Sequence, residues 1–345
     1  MRFSIPGLFV LALTAACGGE SKPPETPPAS TGAAQDPPSS APAPTGALSG
    51  PTAPPSGDDV KKGIAALKAG DMPGAKAAFD AAIQKDPKKA DAYHYRGVVN
   101  DQTGARAEAE KDYKKALELD PALEESAVNL AALQIDAGKF DDAIALMKRA
   151  VAKNARSAAI RVNLAMALSG KGEDPAAANK EFEEAIKLDP NNAITIVTYA
   201  AHLGRNNKKA EAATQLQKAA GIAASDPGVL ASVALEYKNL KDYKQCVLVL
   251  DKAIGVKDVA ELRIYRGTCK LGSKDLPAAT ADFKEAVAKE PNNAVAHYSL
   301  GNALADAGKL ADAIAEWETY LKLSPDGPMA AAAKKKIELA QKKKK

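Results

Sequence analysis

The chain has 345 residues, a formal net charge of +4 and only 5% aromatic side chains. Residues 58–325 hold 38 basic and 38 acidic side chains, so this region lacks the basic excess that a nucleic-acid ligand requires. Scarce aromatics with abundant alanine favour closely packed helices over sheets, and beyond the N-terminus no apolar run is long enough to span a bilayer.

Residues 1–16 read as a signal peptide, with Arg2 first, an apolar run Ile5–Leu13, and then Thr14-Ala15-Ala16 before Cys17. Small residues directly before a cysteine resemble the lipobox of bacterial lipoproteins, although the favoured leucine sits one place early, at Leu13, with Thr14 in its usual position. The resemblance implies cleavage before Cys17, lipidation of its thiol, and an outer-membrane, lipid-anchored protein facing the periplasm. Gly18 rather than aspartate after the cysteine is similar to the pattern sorted to the outer membrane in enteric bacteria. Residues 17–57 contain eleven of the chain's 22 prolines, interleaved with Ala, Ser, Thr and Gly. Such a composition cannot bury a core and reads as a disordered tether, with a reach on the order of 120 Å in the extended limit.

From residue 58 onward the chain repeats. Gly63, Gly97, Ala131, Ala165, Ala200, Ala234, Gly267 and Gly301 follow one another at 33 to 35 residues. A second small column runs Ala75, Ala109, Ala143, Ala178, Ala212, Cys246, Ala279, Ala313. Four residues further on stands a bulky one: Phe79, Tyr113, Met147, Phe182, Leu216, Leu250, Phe283, Trp317. Spacings of four and three place these side chains on one helix face, and Pro87, Pro121, Pro190, Pro291 and Pro325 close five of the units. The cleanest unit, Ala90–Pro121, is a helical hairpin that cannot bury its apolar face alone and needs copies beside it.

These columns resemble the tetratricopeptide repeat family, whose units are 34-residue helix–turn–helix pairs. The resemblance implies an all-α, right-handed superhelical solenoid of about eight repeats over residues 58–325. The surplus residue falls in the turn 169–175 and the deficit near 255–258, and the sixth unit matches least well. In residues 326–345, Pro328 can start a capping helix with Met329, Ala333, Ile337 and Ala340 on one face, ending in Lys342–Lys345.

No catalytic constellation is visible: His94, His202 and His297 lie in different repeats, and no metal-ligand spacing or phosphate-binding loop occurs. The expectation is no enzyme, no cofactor and no small-molecule substrate. Cys246 and Cys269 read as small buried side chains, with a bond between them left open by the sequence. The family resemblance places function in the concave groove, lined by the first helix of each unit. Carried onto this chain, its lining is His94, Val98, Val128, Asn129, Ala132, Val162, Asn163, Met166, Ile194, Val197, Leu235 and Ile264. Asn129 and Asn163 match groove asparagines that bond a bound peptide's backbone, an amide being both donor and acceptor. The expected partners are other envelope proteins held in the groove, and a membrane held through the lipid on Cys17. The expected role is a periplasmic adaptor for an envelope machine of the type IV pilus, gliding-motility or secretion kind; a holdase for outer-membrane proteins is the alternative.

Overall fold

The computed structural model describes residues 57–344, and every described element is helical. The leader, Cys17 and the proline-rich stretch to residue 56 lie outside the described residues. The first four hairpins are α1 (Asp58–Lys68) with α2 (Met72–Lys85), α3 (Ala90–Gln102) with α4 (Arg106–Leu119), α5 (Glu124–Asp136) with α6 (Phe140–Lys153), and α7 (Ala158–Lys171) with α8 (Pro175–Leu188). The next two are α9 (Ala193–Arg205) with α10 (Lys209–Ile222), and α11 (Pro227–Asn239) with α12 (Tyr243–Val256). Then come α13 (Ala260–Gly272) with α14 (Leu276–Lys289), α15 (Ala294–Asp306) with α16 (Leu310–Leu323), and a single closing helix α17 (Ala330–Lys344). Each helix packs on the next in order, which makes the right-handed solenoid of the sequence reading.

Local chemistry starts and stops these helices. Asp71, Asp174, Asp226, Asp242 and Asp275 each accept a backbone N–H of the helix they precede. Pro73, Pro175, Pro227 and Pro277 occupy first-turn positions where no N–H is needed. The hairpin turns share one left-handed residue each: Gly70, Gly104, Gly138, Gly172, Asn207, Lys241, Lys274 and Gly308, with φ from 60° to 82°.

Inside each hairpin the small residue of the first helix meets the bulky residue of the second. All eight bulky side chains are no more than 3% exposed. A Cβ placed on Gly97 would stand 2.7 Å from the Tyr113 ring, and one on Gly267 the same distance from the Phe283 ring. Glycine occupies this column opposite Phe79, Tyr113, Phe283 and Trp317, whereas alanine stands opposite Met147, Leu216 and Leu250. The two columns therefore compensate in volume, as a close-packed interior requires. Phe182 opposite Ala165 is the exception; its ring stacks on Tyr199 at 5.3 Å, as Phe79, which faces a glycine, does on Tyr95 at 5.6 Å.

Two partly buried ionic clusters recur at the same register. Arg96 donates to Asp112 of its own hairpin and to Asp80 of the preceding one. Arg266 does the same with Asp282 and Asp251. Each arginine thus ties three helices from two repeats together, and forked N–H pairs to one carboxylate fix their angle.

Cys246 on α12 and Cys269 on α13 are fully buried and disulfide-bonded, with Cα atoms 6.1 Å apart. The bond joins the sixth repeat to the seventh. The closing helix starts at Ala330 rather than at Pro328, because residues 325–329 form turns in which Met329 N–H donates to the Tyr320 hydroxyl. Ala333 and Ala340 are buried against the last repeat, and Ile337 is half-buried.

Gly97→Val is expected to destabilise the array by about 1–3 kcal/mol through overpacking against Tyr113. Adding Tyr113→Leu should return part of that loss, measured as a double-mutant cycle in urea. Replacing Cys246 and Cys269 together by alanine is expected to cost about 2–4 kcal/mol, read from the urea midpoint of oxidised protein against the variant.

Candidate functional site

The first helices form one wall of the solenoid. α5 packs directly on α7, α9 on α11, and α11 on α13, whereas the second helices lie mainly against their own partner and the next first helix. Closer lateral spacing on one side curves the stack toward that side, so the first helices line the concave face. This wall contains all twelve residues that the sequence assigns to the groove.

Six of them are buried within the array. His94, Val98, Val128, Asn163, Val197 and Ile264 are between 1% and 7% exposed. Val128 packs in one cluster with Ile160 and Leu164 of the next first helix, and Val98 with Leu130 and Leu133. Adjacent first helices approach closely enough to bury the side chains between them. Asn163 donates to the Ala159 carbonyl of its own helix at 3.0 Å, so its amide is engaged internally. The proposed asparagine pair is thus reduced to Asn129, which is half-buried and reaches the Tyr113 hydroxyl at 3.5 Å.

The remaining six, Asn129, Ala132, Val162, Met166, Ile194 and Leu235, are half-buried on the concave wall. α7 and α9, like α3 and α5, lack the close backbone approach seen between α5 and α7 or between α9 and α11. Their side chains still meet: Ala165 of α7 shares one core cluster with Ile196 and Ala200 of α9, and Met166 and Ile194 pack against it. The surplus residue that the sequence assigns to the turn 169–175 lengthens α7 instead, to 14 residues against 13 in α5 and α9, and the hairpin turn stays as long as the others. At the turn end, His202 and Arg205 on α9 meet the Ser169 hydroxyl on α7 at 2.7 and 2.9 Å. The result is a wall with half-buried apolar side chains at Val162, Met166 and Ile194 and polar contacts at its turn end.

Charge along the same wall is uneven. Burial pushes the Tyr95 hydroxyl up to about 12, with the charges of Glu125 and Asp91 adding to it. Burial raises the Asp101 carboxyl; Arg106 opposes this and Asp136 adds to it. The first helices of the second and third repeats carry Asp91, Asp101, Glu124, Glu125 and Asp136 against Arg96. An open depression on another part of the surface is lined by Tyr93, Arg96, Glu110 and Lys115 among others, and these four are engaged in ion pairs or stacking. No group of His, Cys, Asp and Glu among the described residues is arranged to hold a metal ion. No described helix is long and apolar enough to cross a membrane.

Fold and site together define a helical-repeat binding scaffold. A family model described as tetratricopeptide repeat matches residues 60–124, 128–193 and 267–328, and the chain belongs to that family. Residues 194–266, which hold the fifth and sixth repeats, fall outside those matches yet form the same hairpins. The chain is similar to the DnaJ homolog subfamily C member 3 of Gallus gallus, 26% identical over 269 residues. That match covers 77% of this chain and 42% of the relative, so the chain spans less than half of that protein's length. Among solved structures it resembles yeast Tom70, with a TM-score of 0.63 at 17% identity, covering 86% of this chain and 67% of that one. It also resembles a tetratricopeptide repeat protein from Parabacteroides merdae, with a TM-score of 0.53 at 17% identity, covering 71% of this chain and 97% of that one. At these identities the structural likeness concerns the fold.

His94 yields a pH prediction of its own. Its ring is buried, Nδ1 meets the Ser126 hydroxyl at 2.9 Å, and Nε2 has no partner among the described residues. Burial lowers its pKa from 6.5 to about 4. The folded state therefore holds it neutral, and this contribution is complete above pH 6.5 and is lost as pH falls toward 4. The loss is expected to reach about 3 kcal/mol. Urea titrations between pH 7.5 and 4.5 should show a smaller fall for His94→Gln than for the unsubstituted protein.

Proposed function

We propose that this protein is a lipid-anchored periplasmic adaptor that captures partner polypeptides on the apolar part of its concave wall. In this role it assembles or positions an envelope machine, of the type IV pilus, gliding-motility or secretion kind. The observation that carries the reading is the row of half-buried apolar side chains on consecutive first helices, Ala132, Val162, Met166, Ile194 and Leu235. Apolar surface left partly uncovered in a concavity favours a partner site. Membership of the tetratricopeptide repeat family, whose members bind partner proteins, supports the same reading.

The address rests on the leader, on Cys17 and on the proline-rich stretch that follows it. The buried bond between Cys246 and Cys269 fits an oxidising compartment such as the periplasm. A long tether between lipid and array would let the concave wall search a wide volume around the anchor.

Two measurements test the reading. Cys17→Ser is expected to move the protein from the membrane fraction to the soluble fraction; persistence in the membrane removes the lipid anchor. Met166→Asp with Ile194→Asp is expected to abolish crosslinking to one or two partners in the native envelope while the circular dichroism melt is retained. Capture of many unrelated unfolded clients, with suppression of their aggregation, would replace the adaptor by a holdase.

A further inference from the structure

The positive charge of this chain sits in its last helix. Residues 58–325 are balanced, whereas residues 326–345 carry seven lysines against Asp326 and Glu338, and no arginine. Most of these lysines belong to α17, which packs Ala330, Ala333 and Ala340 on the last repeat and turns its other face to solvent. Lys334, Lys335, Lys342 and Lys343 are exposed there. Leu339 stands four residues after Lys335, and three and four before Lys342 and Lys343, so these side chains share one face. At 51%, Leu339 is the most exposed large apolar side chain among the described residues.

The needs of the fold cover only part of this pattern. Lys336 has a place in the packing: its ammonium donates to Asn302 Oδ1 at 2.9 Å and lies over the Trp317 and Tyr298 rings at 5.6 and 5.7 Å. The helix dipole favours cations in the last turn, which accounts for Lys342 and Lys343 but leaves Lys334 and Lys335, in the second turn, without a reason. A closing helix needs a polar outer face, yet paired charges supply one elsewhere: on α4, Lys114 pairs with Glu110 and Lys115 with Glu118. Glu338 lies within about one turn of Lys334, Lys335 and Lys342. Even so, none of the four exposed lysines has a carboxylate within 4 Å among the described residues.

We propose that the outer face of α17 docks on an anionic lipid surface, with its lysines among the headgroups and Leu339 below them. Lysines set around an apolar side chain are the composition of helices that lie in a membrane interface. Lysine is a strongly hydrated point charge and suits the diffuse field of a bilayer, whereas recognition of single phosphates or carboxylates calls on the arginine fork. The chain uses its arginines in that second way, with Arg96 forked on Asp112 and Arg266 on Asp282 inside the array. A polyanion held through charge alone would gain nothing from Leu339. The proposal needs neither the lipid on Cys17 nor a partner on the concave wall.

The test is cosedimentation of the full chain with lipid vesicles, in a Cys17→Ser background so that lipidation does not contribute. Binding to equal parts phosphatidylglycerol and phosphatidylcholine is expected to exceed binding to phosphatidylcholine alone, by a margin that shrinks as salt rises. Lys334→Gln, Lys335→Gln, Lys342→Gln and Lys343→Gln together are expected to weaken binding to the anionic vesicles about a hundredfold, at about fivefold for each lysine that reaches the surface, with Tm unchanged. Leu339→Ser is expected to weaken it about tenfold, at high salt as well as low. Equal binding to both kinds of vesicle, or anionic binding that the glutamine variant keeps, overturns the proposal. Should the glutamine variant melt lower, Leu339→Ser decides: full vesicle binding by that variant overturns it. Binding of double-stranded DNA that matches the anionic vesicles and ignores Leu339→Ser assigns the face to polyanions in general and also overturns it.

Discussion

The contact between a small residue on the first helix and a bulky residue on the second sets the geometry of every repeat. Gly97 against Tyr113 is its clearest instance, because the ring fills the space that a Cβ would need. This contact fixes how closely the two helices of a hairpin lie and therefore which faces remain to be covered by the next hairpin. A repeat built this way buries only part of its apolar surface, so it exists as a member of a stack. The exchange of glycine for alanine where Met147, Leu216 and Leu250 replace aromatic rings compensates in volume from one repeat to the next. Such compensation is what allows eight dissimilar hairpins to stack on one another.

The same constraint decides what the concave wall can offer. Where adjacent first helices pack closely, the residues between them belong to the core, as Val128 and Val197 do. Apolar side chains on the same helices that point away from those contacts, Val162, Met166 and Ile194 among them, stay half-buried and can face a partner. The surplus residue of the array does not enlarge a turn: it adds one residue to α7, which has 14 where α5 and α9 have 13. The helix absorbs the irregularity, and the hairpin after it keeps the register of the buried columns.

The columns, the hairpins and the register were legible because burial on a helix imposes spacings of three and four that survive in the residues themselves. All twelve residues assigned to the groove lie on first helices, six of them buried between neighbouring elements. How wide the groove is was not legible, since helix periodicity gives a direction and says nothing of the distance to the neighbouring helix. That is why His94 and Asn163, polar and well placed by spacing, prove to be buried. The bond between Cys246 and Cys269 was beyond the sequence for a similar reason: it depends on a Cα separation of 6.1 Å across two repeats. The left-handed turn column could have been found. Its residues recur at the repeat spacing, and two lysines in a run of glycines are a readable signal.

The fifth to seventh repeats concentrate departures from the regular pattern. Most of this region lies outside the family matches, the sixth unit has no closing proline in register, and the chain is one residue short before α13. Its turns hold Lys241 and Lys274 in a backbone conformation that disfavours them. In a solenoid, stability is close to a sum of nearest-neighbour terms, so what joins one repeat to the next decides how far an opening spreads. Within α13 one core cluster gives way to another: Leu262 and Cys269 pack with the fifth and sixth repeats, while Ala260 and Ile264 pack with the seventh and eighth. The disulfide stands at that junction and joins α12 to α13 covalently. Arg266 adds an ionic tie across it, from Asp282 back to Asp251. The sixth and seventh repeats are thus held by direct helix packing, a covalent bond and an ion-pair relay together, so an opening that starts on one side of α13 is carried to the other.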